Sequence, residues 1–250
     1  MTKRITRRQA MLGASSVLLV PAACTTSKVE DADTVFAHGV ASGDPDGTSV
    51  VLWTRVSGFD TAVRVDWHIA TDAAFRNIVG SGDFRTHAER DYTVNVIAAN
   101  LEPGQQYFYQ FSVGQTFSPS GQTKTLPRGR LEQLTIAVAT CSNFPFGFFN
   151  AYEDIANDAS IDVVVHLGDY IYEYSQFGYG GEAGKSIGRM HEPAHEIVSL
   201  ADYRQRHAQY KSDVGSRAMH ARHPLIAIWD DHETANNPWM GGAQNHQADE

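Results

Sequence analysis

The sequence predicts a β-rich N-terminal domain followed by an α/β domain. Residues 36–126 alternate short strand-like runs with Gly/Pro turns, the pattern of a β-sandwich. After Leu131, continuous apolar runs alternate with helical stretches, as in a sheet covered on both faces. Three of those runs end in clusters drawn from Cys, Asp, Tyr and His, and ligand sites in α/β sheets form beyond the C-terminal ends of the strands.

Residues 1–33 read as an address and tail. Thr6-Arg7-Arg8-Gln9-Ala10-Met11-Leu12 resembles a twin-arginine export signal. The apolar run Met11–Val20 is too short to cross a bilayer, as expected of a signal rather than an anchor. Pro21-Ala22-Ala23-Cys24 leaves two processing routes open: cleavage near Ala23, or lipidation of Cys24 as a membrane anchor. Either route makes the chain an exported one, periplasmic, secreted or held at the cell envelope, with the twin-arginine machinery as a partner. Such export usually follows folding, which suits a protein that loads a metal in the cytoplasm.

Residues 34–127 form the predicted sandwich. Ser49–Val56 reads as a buried strand. Val63–Ile69 and Tyr92–Ile97 alternate with period two, and Tyr107–Val113 supplies another strand. Gly43–Gly47, Gly80–Asp83 and Pro103-Gly104 read as turns. Leu101-Glu102-Pro103-Gly104-Gln105-Gln106-Tyr107 fits the tyrosine corner of a fibronectin/Ig-like sandwich, in which the Tyr hydroxyl bonds back to the chain beside the turn. Asp44 and Asp46 are read as turn residues that serve the backbone, and His38, His68 and His87 as structural.

Arg128-Gly129-Arg130 is the expected linker to a domain spanning 131–250. Leu134–Ala139, Ile161–Leu167 and Leu225–Trp229 are its predicted strands, with helices over Phe149–Asn157 and Leu200–Lys211. The strands deliver Cys141-Ser142-Asn143, Gly168-Asp169-Tyr170-Ile171-Tyr172-Glu173 and Asp230-Asp231-His232-Glu233. Gly178-Tyr179-Gly180-Gly181 is read as a flexible loop near the site. Tyr203, His207 and Tyr210 share a helical face that packs on the core, and His191, His195, His207, His220 and His223 are not expected to bind metal.

The net charge of -9 and the ordinary 42% hydrophobic content exclude two classes of protein. An acidic surface lacks the Lys and Arg that neutralise phosphates, so nucleic acid is not an expected partner. Two cysteines, Cys24 and Cys141, do not make a disulfide framework.

The blocks Phe36–Pro45, Gly168-Asp169-Tyr170-Ile171-Tyr172 and Trp229-Asp230-Asp231-His232-Glu233 resemble the hallmarks of PhoD-type alkaline phosphatases. The resemblance covers essentially the whole chain after the signal. It implies a metallophosphatase αββα sandwich, of which this chain would hold an incomplete portion, impaired or inactive alone and with exposed apolar edges. It implies a phosphate-ester substrate, hydrolysed as a monoester. Cys141 and Tyr172 would hold ferric iron, Fe(3+), with Asp169 bridging to a neighbouring Ca(2+); other divalent metals could serve. Asp231, Asn236 and Asn237 compete for the calcium position, with oxygens that suit a hard ion. His232 would orient the substrate or protonate the leaving group, or else bond to a metal-binding Asp. Asp230 and Glu233 are read as supports. The rival readings are a phosphodiesterase or phospholipase D-like hydrolase and, outside enzymes, a cell-surface binding protein.

Overall fold

The computed structural model describes residues 31–246. The segment read as an export signal, Cys24 and the last four residues lie outside the described residues. Among the described residues, no helix is long and apolar enough to cross a membrane.

The first half builds eight strands. After a short helix, α1 (Ala32–Val35), come β1 (Val40–Gly43), β2 (Ser49–Arg55), β3 (Val63–Ala70) and β4 (Ile78–Thr86). They are followed by β5 (Thr93–Ala99), β6 (Gln106–Val113), β7 (Thr116–Phe117) and β8 (Gly121–Lys124). Period-two alternation is clearest in β2, where Val50, Leu52 and Thr54 are buried and their neighbours are not. Side chains on alternate residues point to opposite faces of a strand, so one face of β2 is committed to the interior. That face, with Val94 and Ala98 of β5, packs on Val65, Ile69, Tyr107, Tyr109 and Phe111 from the other sheet.

The hydroxyl of Tyr107 accepts from the Glu102 amide at 2.7 Å, fastening the turn before β6 as the tyrosine-corner spacing anticipates. Asp46 Oδ1 accepts from the Thr48 and Ser49 amides at 2.5 and 2.7 Å, the backbone service expected of a turn carboxylate. Gly80–Asp83, by contrast, is not a turn. It is the middle of β4, paired antiparallel with β3. A Cβ on Gly82 would lie 2.9 Å from Trp67 Nε1, so the glycine makes room for an indole across the strands.

The second half contributes β9 (Ile136–Ala139), α2 (Asn150–Asn157), β10 (Val163–His166), α3 (Gly181–Ile187), α4 (Leu200–Ser212), α5 (Val214–Arg222) and β11 (Pro224–Ala227). Gly181 opens α3 rather than belonging to a loop. A capping box between Ser199 and Asp202 starts α4, satisfying amides that a helix N-terminus leaves unpaired.

The two halves share one sheet. Its order is β5-β2-β1-β11-β10-β9, while β4-β3-β6-β7 forms the second sheet with β8 paired to β6. The join is parallel, Ser42 opposite Pro224 and Gly43 opposite Leu225. Strands β9, β10 and β11 are parallel, and α2 and α5 cover one face through Tyr152, Val164 and Met219. On the opposite face Ile136, Val138, Ile226 and Ile228 are exposed. The fold is therefore a β-rich α/β arrangement with mixed sheets and few helices.

Candidate metal centre at the strand ends

The C-terminal ends of β9, β10 and β11 lie side by side because the strands pair in register, Val138 with Val165 and Val165 with Ile226. The chain turns sharply just beyond β9 and β10. Cys141 has φ 58° and Asp169 φ 53°, after Gly168 at φ 98°. Positive φ is uncommon outside glycine and holds only where the surroundings over-determine it. A Cβ on Gly168 would come within 2.4 Å of the Asp230 amide nitrogen, so glycine lets the β10 and β11 ends touch.

Asp169 is the centre of the cluster. Its Oδ2 accepts from Cys141 Sγ at 3.4 Å and from the Tyr172 hydroxyl at 3.1 Å. Its Oδ1 accepts from the His232 amide at 3.4 Å. Asp169, Asp231 and His232 each offer a ligand atom, all within 4.8 Å of one another. Cys141 is exposed, so it is not a core cysteine.

Two acids hold this geometry from behind. The Glu233 carboxylate accepts from the Asp169 amide at 2.9 Å and the Asp230 amide at 2.7 Å, and also from the Tyr170 amide. It ties the β10 end to the β11 end, the support expected of it. Glu173 is fully buried and meets His232 Nδ1 at 2.7 Å, the Asn236 amide at 2.7 Å and Asn245 Nδ2 at 2.6 Å. Sequence reasoning assigned Glu173 no role; the only signal available was an acid set directly after an apolar pair. Arg206, also missed and fully buried, donates to the carbonyl of Tyr172 and to that of Glu192 at 2.9 Å, which fixes the backbone carrying the phenol.

The electrostatics follow from burial and neighbours. Burial, and then the charge of Asp169, pushes the Tyr172 phenol well above its ordinary range, so ionising it needs a cation close by. For His232, burial lowers the pKa, but Glu173 first and then Asp169 and Asp231 raise it more, leaving it above its ordinary value. Burial pushes Glu173 up, but the bond to His232 and that from Asn245 hold it below.

The predicted residues are thus divided. Cys141, Asp169 and Tyr172 meet at one carboxylate oxygen, and Asp231 and His232 join them. Asn236 turns its side-chain amide to Gln244 Oε1 at 2.7 Å; Asn237 does the same and gives its backbone amide to Asp231 at 2.7 Å. Tyr170 serves elsewhere: its hydroxyl meets His220 Nε2 at 2.9 Å. The donor chemistry fits a metal: a thiol, a phenol and two carboxylates would crowd unfavourable charge together if ionised without one.

Parallel strands that bring Asp169, Asp231 and His232 together beyond their C-terminal ends define an α/β protein with a candidate metal site there. The model for the PhoD-like phosphatase matches residues 136–250, and that for the PhoD-like phosphatase N-terminal domain matches residues 22–127. The chain is 44% identical over 212 residues to alkaline phosphatase D of Bacillus subtilis (strain 168), which covers 81% of this chain and 36% of that protein. It superposes on a solved structure of PhoD with a TM-score of 0.81 and 40% identity, covering 86% of this chain and 43% of that one. The chain belongs to the PhoD-like phosphatase family and spans less than half the length of these relatives.

Proposed function

We propose that the protein is an exported, metal-dependent hydrolase of phosphate monoesters. The observation that carries the reading is the convergence of Cys141, Asp169 and Tyr172 on one point beside Asp231 and His232. In this reading residues 34–127 are a supporting Ig-like sandwich, and residues 131–250 are the catalytic domain, part of an αββα sandwich. Membership of the family supports it, since the Bacillus relative carries the name alkaline phosphatase.

Cys141, Asp169 and Tyr172 would hold Fe(3+), with Asp231 and Asn236 holding Ca(2+). The bound metals would supply Lewis acidity, polarising the phosphoryl oxygens and the attacking water. The protein's own part is orientation and protonation. Glu173 engages Nδ1 of His232, which leaves Nε2 for substrate and keeps the ring protonated to a higher pH. A protonated Nε2 donates to a phosphoryl oxygen or passes its proton to the leaving alkoxide, and Glu173 stabilises the charge on the ring before that transfer.

The test is hydrolysis of a chromogenic phosphate monoester and the matching diester by iron- and calcium-loaded protein, with Asp169→Asn alongside. Turnover should need metal, favour the monoester and drop more than about 100-fold in the variant, beyond the range for changes behind the ligands. An Asp169→Asn protein with unchanged activity and metal content would sink the proposal.

A further inference from the structure

A second cavity lies away from the strand-end cluster. It has a volume of about 660 Å³ and is walled by α4 on one side and by β1, β2 and β5 on the other. None of the candidate metal ligands lines it. Its volume falls within the range of small-molecule pockets.

Its charge is out of keeping with the protein. The chain carries a net -9, yet Arg55, Arg90, Arg204 and Lys211 all line this cavity. Arg55 is neutralised by Asp91 through bonds of 2.9 and 2.8 Å. The other three have no carboxylate partner among the described residues. Arg90 lies over the Phe84 ring at 5.1 Å. Among the described residues, Arg204 bonds only the Glu89 carbonyl, at 2.7 Å. The Glu89 carboxylate itself is 93% exposed and sits 3.9 Å from His87.

Lys211 is the least compensated of these cations. Its ammonium sits 4.8 Å from the Trp53 ring centre, 5.5 Å from that of Tyr170 and 3.1 Å from His220 Nε2. Burial alone lowers its pKa, to about 7. His207 stacks on Tyr170 with ring centres 6.2 Å apart. A cation stripped of water costs stability unless paired, and Lys211 is the one of these that its surroundings desolvate. A bound anion would pair Lys211 and Arg204, which both line the cavity. Lys as a point charge and Arg as a fork both suit phosphate oxygens. The cavity also presents the indole of Trp53 and the side chain of Val51, an apolar wall that a bare anion would not use.

The geometry points to a second, non-catalytic site for a small phosphate ester, its phosphate held by Lys211 and Arg204 and its apolar body against Trp53. This site stands whether or not the strand-end cluster hydrolyses esters. The test is calorimetric titration of chelator-treated protein with phenylphosphonate, which cannot be hydrolysed, and with inorganic phosphate. Chelation removes any cation from the strand-end cluster, leaving acids that repel both probes. One molecule of phenylphosphonate should bind per chain. Lys211→Met, which keeps the volume and removes the charge, should weaken binding about tenfold or more, whereas Asp169→Asn should bind as the wild type does. Inorganic phosphate should bind more weakly than phenylphosphonate. Arg204→Gln, a change on a partly exposed residue, should also weaken binding and carries the test if Lys211→Met alters the far-UV circular dichroism. Absence of saturable binding, binding untouched by both cavity variants, or binding lost in Asp169→Asn would each overturn the site. Inorganic phosphate binding as tightly as phenylphosphonate would remove the apolar body from the proposal.

Discussion

Phe111 and Asp169 are both buried, in surroundings built from opposite materials. Around Phe111 the two sheets bury Leu52, Val65, Ile69, Val94 and Tyr109 against each other. Around Asp169 a thiol, a phenol, an imidazole and two more acids are brought together on strained turns. The first region gains free energy by excluding water from apolar surface. The second gives some up, since left-handed backbone at Cys141 and Asp169 costs on the order of 1–3 kcal/mol per residue. Removing a side chain from the first should therefore read out as stability. Removing one from the second should read out as metal affinity and rate.

The largest stability effect belongs to the core. Phe111→Ala leaves a cavity between the sheets and is expected to cost about 3–5 kcal/mol, measured as a shift in the urea midpoint. Metal affinity of the fraction that remains folded should not change. A large fall in metal affinity in folded Phe111→Ala protein would break the division between the regions.

Glu173→Gln tests the boundary, because this carboxylate is buried like core but serves His232. Its loss should cost about 2 kcal/mol, the range for a hydrogen bond to a charged group, and lower metal affinity about 10–100-fold. The pH dependence of metal-free protein sharpens the point. His232 is raised above its ordinary 6.5, so its contribution is complete below 6.5 and fades as pH rises through the raised value. Glu173 is lowered from its ordinary 4.5, so the contribution is complete above 4.5 and fades as pH falls through the lowered value. The stability gap between wild type and variant should be widest between those two values and narrow on either side. A gap that is flat from acid to alkaline pH would mean that the pair is not ionised in the folded protein.

The same contrast explains what could be read from sequence. Strands such as β2 are legible because burial is written locally, as Val50, Leu52 and Thr54 alternating with their neighbours. The cluster was legible in part because Cys141, Asp169 and Asp231 each stand just past an apolar run. Glu173 was not, because its partners His232, Asn236 and Asn245 lie about 60 to 70 residues away and only the packed fold brings them in. Gly80–Asp83 misled for a related reason. A glycine signals a turn when only the chain is visible, and here the cause is Trp67 across the strand pair. The shared sheet was hidden too, since the pairing of Ser42 with Pro224 leaves no local pattern.

The smallest effect comes from Tyr107→Phe. The phenol accepts from the Glu102 amide at 2.7 Å, while its ring is buried in the two-sheet core. The substitution keeps the ring and removes the oxygen, so packing is preserved and one amide loses its partner. Because Glu102 is exposed, water can reach its amide, and the expected cost is about 1 kcal/mol. Thermal melting should show the shift with metal affinity unchanged. A loss as large as that of Phe111→Ala would mean that the turn organises the whole two-sheet core, and the ring's burial would then depend on its hydroxyl rather than the reverse.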